Sequence, residues 1–369
     1  MAVSPEPKGK ATGRGRNYVA THTGPRWLLI SLGTLLFLVA GVAGGLIVAA
    51  TQSSDTNACS ATNVADETLP SVVTIMVKSR TAGSTGSGEI IRSDGYILTN
   101  NHVISAAADG GSIEVLFSDG TTKSATLTGR DPQTDLAVIK VNAPESLPVI
   151  PFGSSSEAQV GQPVVALGAP LGLSSTVTTG IISALDRTIE VPSDNGKNAL
   201  LVAAIQTDAA INPGNSGGAL TDCSGNLIGV PSAGASVPNE SGGSSSGDVG
   251  LGFAIPVSTA ESVSNEIIET GHVTHSYLGI QAAQIPPSAA QQAGTSEGLY
   301  VVAVVPGGPS ASAGLRRGDI ITEINGEAAT DPNQLTAVTL TEKPGDTVTI
   351  TYERDGKSAT AKVTLGTAP

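Results

Sequence analysis

The run Asn212-Pro-Gly-Asn-Ser-Gly-Gly-Ala-Leu220 sets Ser216 among glycines, shortly after the apolar stretch 200–205. A serine hydroxyl is a poor nucleophile at neutral pH, so chemistry there needs a general base and N–H donors for an oxyanion. Glycines suit the donor role, because a backbone without Cβ atoms turns sharply and lets a substrate carbonyl come close. Gly, Asn, Ser and Pro together are also ordinary turn material. The decision therefore rests on what else the chain offers Ser216.

Four histidines are present. His22 lies in a basic tail ahead of an apolar segment, and His272 and His275 sit in a short polar stretch that reads as a connector. His102 remains, at the end of the β-prone run 95–101, which places it at a strand end or in the first turn after it. The carboxylate that would orient an imidazole works best shielded from water. Asp135 fits, because it introduces the β-branched run Leu-Ala-Val-Ile-Lys-Val at 136–141, whereas Asp94, Asp109, Asp119 and Asp131 stand beside Gly or Pro in turn-like contexts. Asp208 competes, but its closeness to Ser216 reads as a role in shaping that loop. The order His102, Asp135, Ser216, each at the edge of a β-prone run, suits a serine hydrolase built from two barrels.

At these residues the chain resembles the HtrA/Deg serine proteases. Gly86-Ser-Gly-Glu-Ile-Ile, Gly95-Tyr-Ile-Leu-Thr-Asn-Asn-His-Val, Thr134-Asp-Leu-Ala-Val-Ile-Lys-Val, Gly168-Ala-Pro-Leu-Gly, Thr179-Gly-Ile-Ile-Ser-Ala, Gly214-Asn-Ser-Gly-Gly-Ala-Leu and Gly252-Phe-Ala-Ile-Pro carry the resemblance, from about residue 67 to 260. It implies that His102 is the general base, Asp135 its partner and Ser216 the nucleophile. The oxyanion loop would be Gly214, Asn215 and Ser216, with the Gly214 and Ser216 N–H groups as donors. Ala210, where the fold places a carboxylate when it accepts Lys or Arg, predicts a pocket for Val, Ala, Ile or similar side chains. The Ser- and Gly-rich stretch 232–248 reads as a mobile loop, of a kind that adjoins the specificity pocket in the family.

A second resemblance follows a helix expected over 259–269. Tyr277-Leu-Gly-Ile, Gly298-Leu-Tyr-Val-Val-Ala-Val-Val, Pro309-Ser-Ala-Ser-Ala-Gly-Leu and Gly318-Asp-Ile-Ile-Thr-Glu-Ile-Asn-Gly look like one PDZ domain. Such a domain takes a C-terminal hydrophobic peptide as an added strand. By position, Tyr277, Leu278 and Gly279 would receive the peptide carboxylate, and Ile280 opens the strand beside it.

The net charge of −13 is unevenly spread: the first 26 residues carry Lys8, Lys10, Arg14, Arg16 and Arg26 against Glu6. No charged residue follows from 27 to 50, and at about 1.5 Å per residue a helix of that length spans a bilayer core of about 30 Å. Positive charge before the span puts the N-terminus in the cytoplasm and the rest outside. A cleaved signal peptide, for which Val48-Ala49-Ala50 would serve, is the alternative. The acidic exterior argues against nucleic-acid binding. Cys59 and Cys223 are the two cysteines, open either to a disulfide in an exported domain or to two free thiols. No compact Cys/His spacing suggests a metal site, and the chemistry needs no cofactor.

The expected organisation is mainly β: a basic tail at 1–26, a transmembrane helix at 27–50, an extracytoplasmic tether at 51–66, a trypsin-like two-barrel protease domain at 67–265, a linker at 266–276 and a PDZ domain at 277–369. With aromatic residues at 3%, small aliphatic side chains must fill the cores. The expected activity is that of a membrane-anchored serine endopeptidase of a bacterial envelope. It would cut unfolded, misfolded or regulatory proteins under PDZ control, in protein quality control and stress response. The alternative is a PDZ-containing chaperone or scaffold with little proteolytic activity. The family resemblance also implies a homotrimer, although no aromatic cluster near 51–75 marks that interface.

Overall fold

Period-two burial along short strands decides the architecture. The computed structural model describes residues 59–369 apart from 80–82, 109, 170–175 and 235–249. Strands β1 (Val72–Lys78), β2 (Gly83–Ile90), β3 (Tyr96–Asn100), β4 (Ser112–Leu116), β5 (Thr122–Asp131) and β6 (Leu136–Val141) close into a barrel in the order β1-β2-β3-β6-β5-β4. Closure leaves no free edge and turns alternate side chains inward. β6 is apolar on both faces for an identifiable reason. Ala137, Ile139 and Val141 fill the barrel, while Leu136 and Val138 point outward into a second cluster with Val230, Ile255 and, from the helix Val257–Thr270, Val263 and Ile267.

Strands β7 (Pro163–Gly168), β8 (Thr176–Pro192), β9 (Asn198–Thr207), β10 (Ala219–Thr221), β11 (Leu227–Gly234) and β12 (Gly252–Pro256) close a second barrel, which repeats the strand order of the first when read around the ring. Its interior holds Val164, Ala166, Ile182, Ile205, Leu220 and Ile228. The largest fully buried side chains of the described residues are all Ile and Leu, as the scarcity of aromatics requires. His102 lies on the short helix Asn101–Ile104 directly after β3, and Ser216 on the loop between β9 and β10.

The stretch expected as a tether folds from its second half onward. A helix runs over Ala61–Thr68, with Ser60 accepting from Asn63 N–H as its N-cap, and Val64 enters a cluster with Val165, Leu167 and Leu227 of the second barrel. An amphipathic spacing hidden among polar residues explains the difference. Cys59 and Cys223 are bonded, tying this helix to the turn between β10 and β11 across 164 residues of sequence. Chain-entropy accounting puts such a closure at about 5 kcal/mol of stabilisation. The expected basic tail, membrane helix and residues 51–58 lie outside the described residues, as does most of the loop expected over 232–248. No helix of the described residues is long and apolar enough to cross a membrane.

The last third is a separate sheet. β14 (Ile280–Ile285), β15 (Gly298–Val304), β16 (Ile320–Ile324), β18 (Thr347–Arg354) and β19 (Lys357–Thr364) pair in that order, β17 (Glu327–Ala328) pairs with β16, and β13 (Ser276–Tyr277) pairs with β20 (Gly366–Thr367). β14 is an edge strand. The buried Asp319 of the Gly-Asp motif is held by two bonds from Arg354, at 2.6 and 2.7 Å, which fixes the start of β16.

Among the buried carboxyl groups, Glu89 differs from Asp131, Asp135 and Asp319 in its surroundings. Glu89, on β2, lies between Val72 and Leu98 on the barrel face turned toward the second barrel, is fully buried, and has no partner among the described residues for either carboxyl oxygen. Burial raises its pKa well above the usual carboxylate range, so the neutral acid is the form the fold accepts. Its native-state contribution is complete at pH values below the ordinary carboxylate pKa and is lost as pH rises through the raised one. Glu89→Gln should therefore melt like wild type near about pH 4 and progressively outlast it toward about pH 9 in thermal unfolding scans. A difference that did not change with pH would contradict ionisation at this site.

Candidate active site

Asp135, the turn residue immediately before β6, has φ 59, a left-handed conformation that Asp tolerates better than most residues. The turn is held by its own carbonyl, which accepts Asn101 N–H at 3.1 Å and Asn100 Nδ2 at 2.9 Å. The side chain is fully buried and points at His102. Its carboxylate accepts from His102 Nδ1 at 2.8 Å and from the His102 backbone N–H at 3.0 Å. A carboxylate can only accept, so Nδ1 carries a proton and Nε2 of the neutral imidazole is left as the base. The His102 side chain is about one-third exposed, at 36%, which leaves that nitrogen reachable by substrate.

A third donor completes the carboxylate: Ser232 Oγ, at 2.6 Å from Asp135 Oδ2. Ser232 was expected in the mobile Ser- and Gly-rich loop, but it is buried on β11. Nothing local marks it out from the serines that follow, so only the pairing of strands brings it to the site.

The Ser216 loop belongs to the second barrel and is gripped by the first. Ser87 of β2 donates its N–H to Ser216 O at 2.9 Å and its hydroxyl to Gly214 O at 2.6 Å, while that hydroxyl accepts Ala169 N–H at 2.8 Å. Gly217, at φ 77, could not be anything larger, since a Cβ there would meet Thr99 Oγ1 and the Ser87 carbonyl. Asn215 is buried, and its N–H donates to Asn212 O at 2.9 Å. Asn215 thereby closes the turn between the Gly214 and Ser216 N–H groups expected as the donors. Ser216 Oγ donates to the Ser232 carbonyl at 3.3 Å, a long bond and hence a weak one.

Ala210 is half-buried, and its carbonyl accepts from Thr178 Oγ1 at 3.0 Å and Asn215 Nδ2 at 3.2 Å, so the same turn that shapes the Ser216 loop fixes this position. Asp208 instead accepts Ile181 N–H of β8 at 2.7 Å. A cleft of about 500 Å³ runs from Met76, Lys78 and Thr85 to Pro213 and Gly214, giving an extended chain a path to the loop. In the last third, Leu278 is buried in the sheet's core and its carbonyl accepts both the N–H and hydroxyl of Ser310, at 3.0 and 2.7 Å. Gly279, at φ 68, turns the chain into the edge strand that Ile280 opens, and Tyr277 sits on β13. Among the described residues, no group of three or more His, Cys, Asp or Glu side chains is arranged to hold a metal ion.

Comparison with known proteins follows the same division. Residues 86–230 match the trypsin-like peptidase domain family and residues 276–365 the PDZ domain family. Serine protease PepD of Mycobacterium tuberculosis is 42% identical over 340 residues, covering 89% of this chain and 72% of PepD. A probable periplasmic serine endoprotease DegP-like of Brucella suis is 42% identical over 288 residues, 77% of this chain and 53% of that protein, so the chain spans about half the length of such relatives. Among solved structures, the HtrA-type protease AlgW with decapeptide superposes at TM-score 0.67 with 34% identity, over 84% of this chain and 99% of that one. The serine endoprotease from Yersinia pestis gives TM-score 0.62 at 34% identity, over 84% and 98%.

Ser232→Ala removes one of the hydrogen bonds to a buried anion. A bond of this charged kind contributes about 1.5–3 kcal/mol, so kcat on a peptide substrate is expected to fall by about tenfold or more with little change in KM. Unchanged kcat would mean that Asp135 is held sufficiently by His102 alone.

Proposed function

The chain belongs to the HtrA/Deg family of serine proteases and is a serine endopeptidase of that type with a PDZ domain, and on that premise we propose that its reaction runs through Ser216, His102 and Asp135. The observation that carries the reading is the buried Asp135 carboxylate, which fixes the His102 tautomer with Nε2 as base. Ser216 Oγ turns from the Ser232 carbonyl to Nε2 and attacks the scissile carbonyl as the imidazole takes its proton. The developing oxyanion is received by the Gly214 and Ser216 N–H groups. His102 then protonates the leaving amine, and water, deprotonated by the same nitrogen, hydrolyses the acyl-enzyme. Asp135 stabilises the imidazolium throughout.

The domain limits follow as a protease domain over 67–265, a linker at 266–276 and a PDZ domain over 277–369. Substrates are unfolded, misfolded or regulatory proteins, cut after Val, Ala or Ile because Ala210 leaves a small apolar pocket. The selectivity is modest, since one methylene in such a pocket is worth about 1–3 kcal/mol. The PDZ domain takes C-terminal hydrophobic peptides along the edge of β14, with residues 277–279 at the carboxylate. Segment 27–50 anchors the chain in the cell membrane with the protease and PDZ domains on the extracytoplasmic side, in keeping with the periplasmic designation of the DegP-like relatives. Three copies assemble through their protease domains.

Casein cleavage by wild type and Ser216→Ala is the direct test, with an expected loss of about a thousandfold or more in the variant. Equal turnover would end the nucleophile assignment. A saturating C-terminal hydrophobic peptide is expected to raise the rate of hydrolysis of a small peptide substrate, and an unchanged rate would separate the PDZ domain from control of the site.

A further inference from the structure

Asp131 ends β5 and opens the turn that delivers Asp135 to β6. Its carboxylate is buried and serves three donors. Gln133 N–H reaches Oδ1 at 3.1 Å and Thr134 Oγ1 reaches Oδ2 at 2.5 Å, both from within the turn. The third is His275 Nε2, 3.0 Å from Oδ1 and 144 residues further along the chain.

His275 was expected in a polar connector, yet only 9% of it is exposed. It stands where the chain leaves the helix Val257–Thr270 for β13, and it is held from the other side as well. Its carbonyl accepts Ala368 N–H at 3.0 Å, and Ser276 Oγ donates to Thr339 O at 3.2 Å on the helix Asn333–Thr341. The same helix faces the Asp135 turn across a cleft of about 280 Å³ that includes Thr134, Leu200, Leu340 and Thr341. A buried His–Asp pair is thus built into the junction between the protease and PDZ parts, with no part in the chemistry described above.

The turn it touches needs holding. Asp135 adopts positive φ, a conformation that persists where the surroundings over-determine it. An angular error in that backbone becomes an error in the carboxylate, and then in the imidazole it aims. We propose that His275 is a positioning residue for proteolysis: from the domain junction it holds Asp131, and through the turn of Asp131 and Thr134 it fixes the backbone that directs Asp135 at His102. The inference rests on the His102, Asp135 and Ser216 reading. Removing the imidazole leaves a buried carboxylate short of a donor, and the turn must rearrange to find another.

The test uses the full chain, with kcat and KM on a peptide substrate expressed per site titrated by a fluorophosphonate. His275→Leu is expected to lower kcat per titrated site about tenfold with KM within about twofold, while His275→Gln, which keeps an N–H donor, restores most of the rate. Asp131→Ala, which also removes the bonds from Gln133 and Thr134, should lower kcat at least as far, and adding His275→Leu to it should cost less than His275→Leu costs in the wild type, because the two residues share one contact. A merely structural role would lower the melting temperature and the number of titratable sites while leaving kcat per site unchanged. That result, or a Gln variant no better than Leu, would overturn the proposal. If His275→Leu does not fold, kcat per titrated site of His275→Asn, whose amide is too short to reach Asp131, decides in its place. Turnover surviving Ser216→Ala would instead refute the underlying nucleophile assignment, so the two failures are distinguishable.

Discussion

Burying one carboxylate organises the catalytic region. Asp135 is fully shielded from water, and an ionised group in that position is tolerated only when donors replace the solvent it has lost. Two of the donors come from His102 in the first barrel and one from Ser232 in the second. The barrels therefore cannot slide or rotate against each other without leaving an anion under-satisfied. Leu136 and Val138, the outward residues of the strand that follows Asp135, reinforce the same seam by packing on Val230, Ile255 and the helix Val257–Thr270. Polar satisfaction sets the registry of the two barrels, and apolar burial supplies the adhesion.

Ser87 performs the complementary task from the opposite direction. It is a first-barrel residue that takes hold of the second-barrel loop on both sides of Asn215, through Gly214 O and Ser216 O. With those carbonyls occupied and the Asn215 N–H committed to Asn212, the backbone of the loop is held in one shape, with strand β2 serving as the template. Gly217 is small because β2 and β3 press directly on its back.

Apolar pattern exposed much of this in the sequence. The run after Asp135 became β6 over the expected residues, His102 fell in the first turn after β3, and the helix expected over 259–269 extends by a residue or two at each end. What escaped was polar and buried. Ser232 opens a Ser- and Gly-rich tract and looks like its neighbours, His275 stands among Thr, Gly and Ser in what reads as a connector, and Glu89 is carried inside a glycine-rich motif. Ser232 and His275 owe their burial to partners far away in sequence, and Glu89 to the second barrel that covers its face of the sheet, and a local pattern contains no record of either. The helix Ala61–Thr68 escaped for a related reason: its buried positions are few, with Val64 and Thr68 the residues it fully covers.

The bond between Cys59 and Cys223 has a topological consequence. His102, Asp135 and Ser216 all lie on the stretch of chain that it closes, so both ends of that stretch are covalently one body. A protease is exposed to its own kind, and its surface turns are the places where a neighbouring molecule would nick it. A single nick anywhere between the two cysteines opens the ring without releasing a fragment, and the severed halves stay within reach of each other. A nick beyond Cys223 has no such safeguard, and one in the segment joining the barrels to the last sheet would leave the proteolytic body and that sheet with no covalent link.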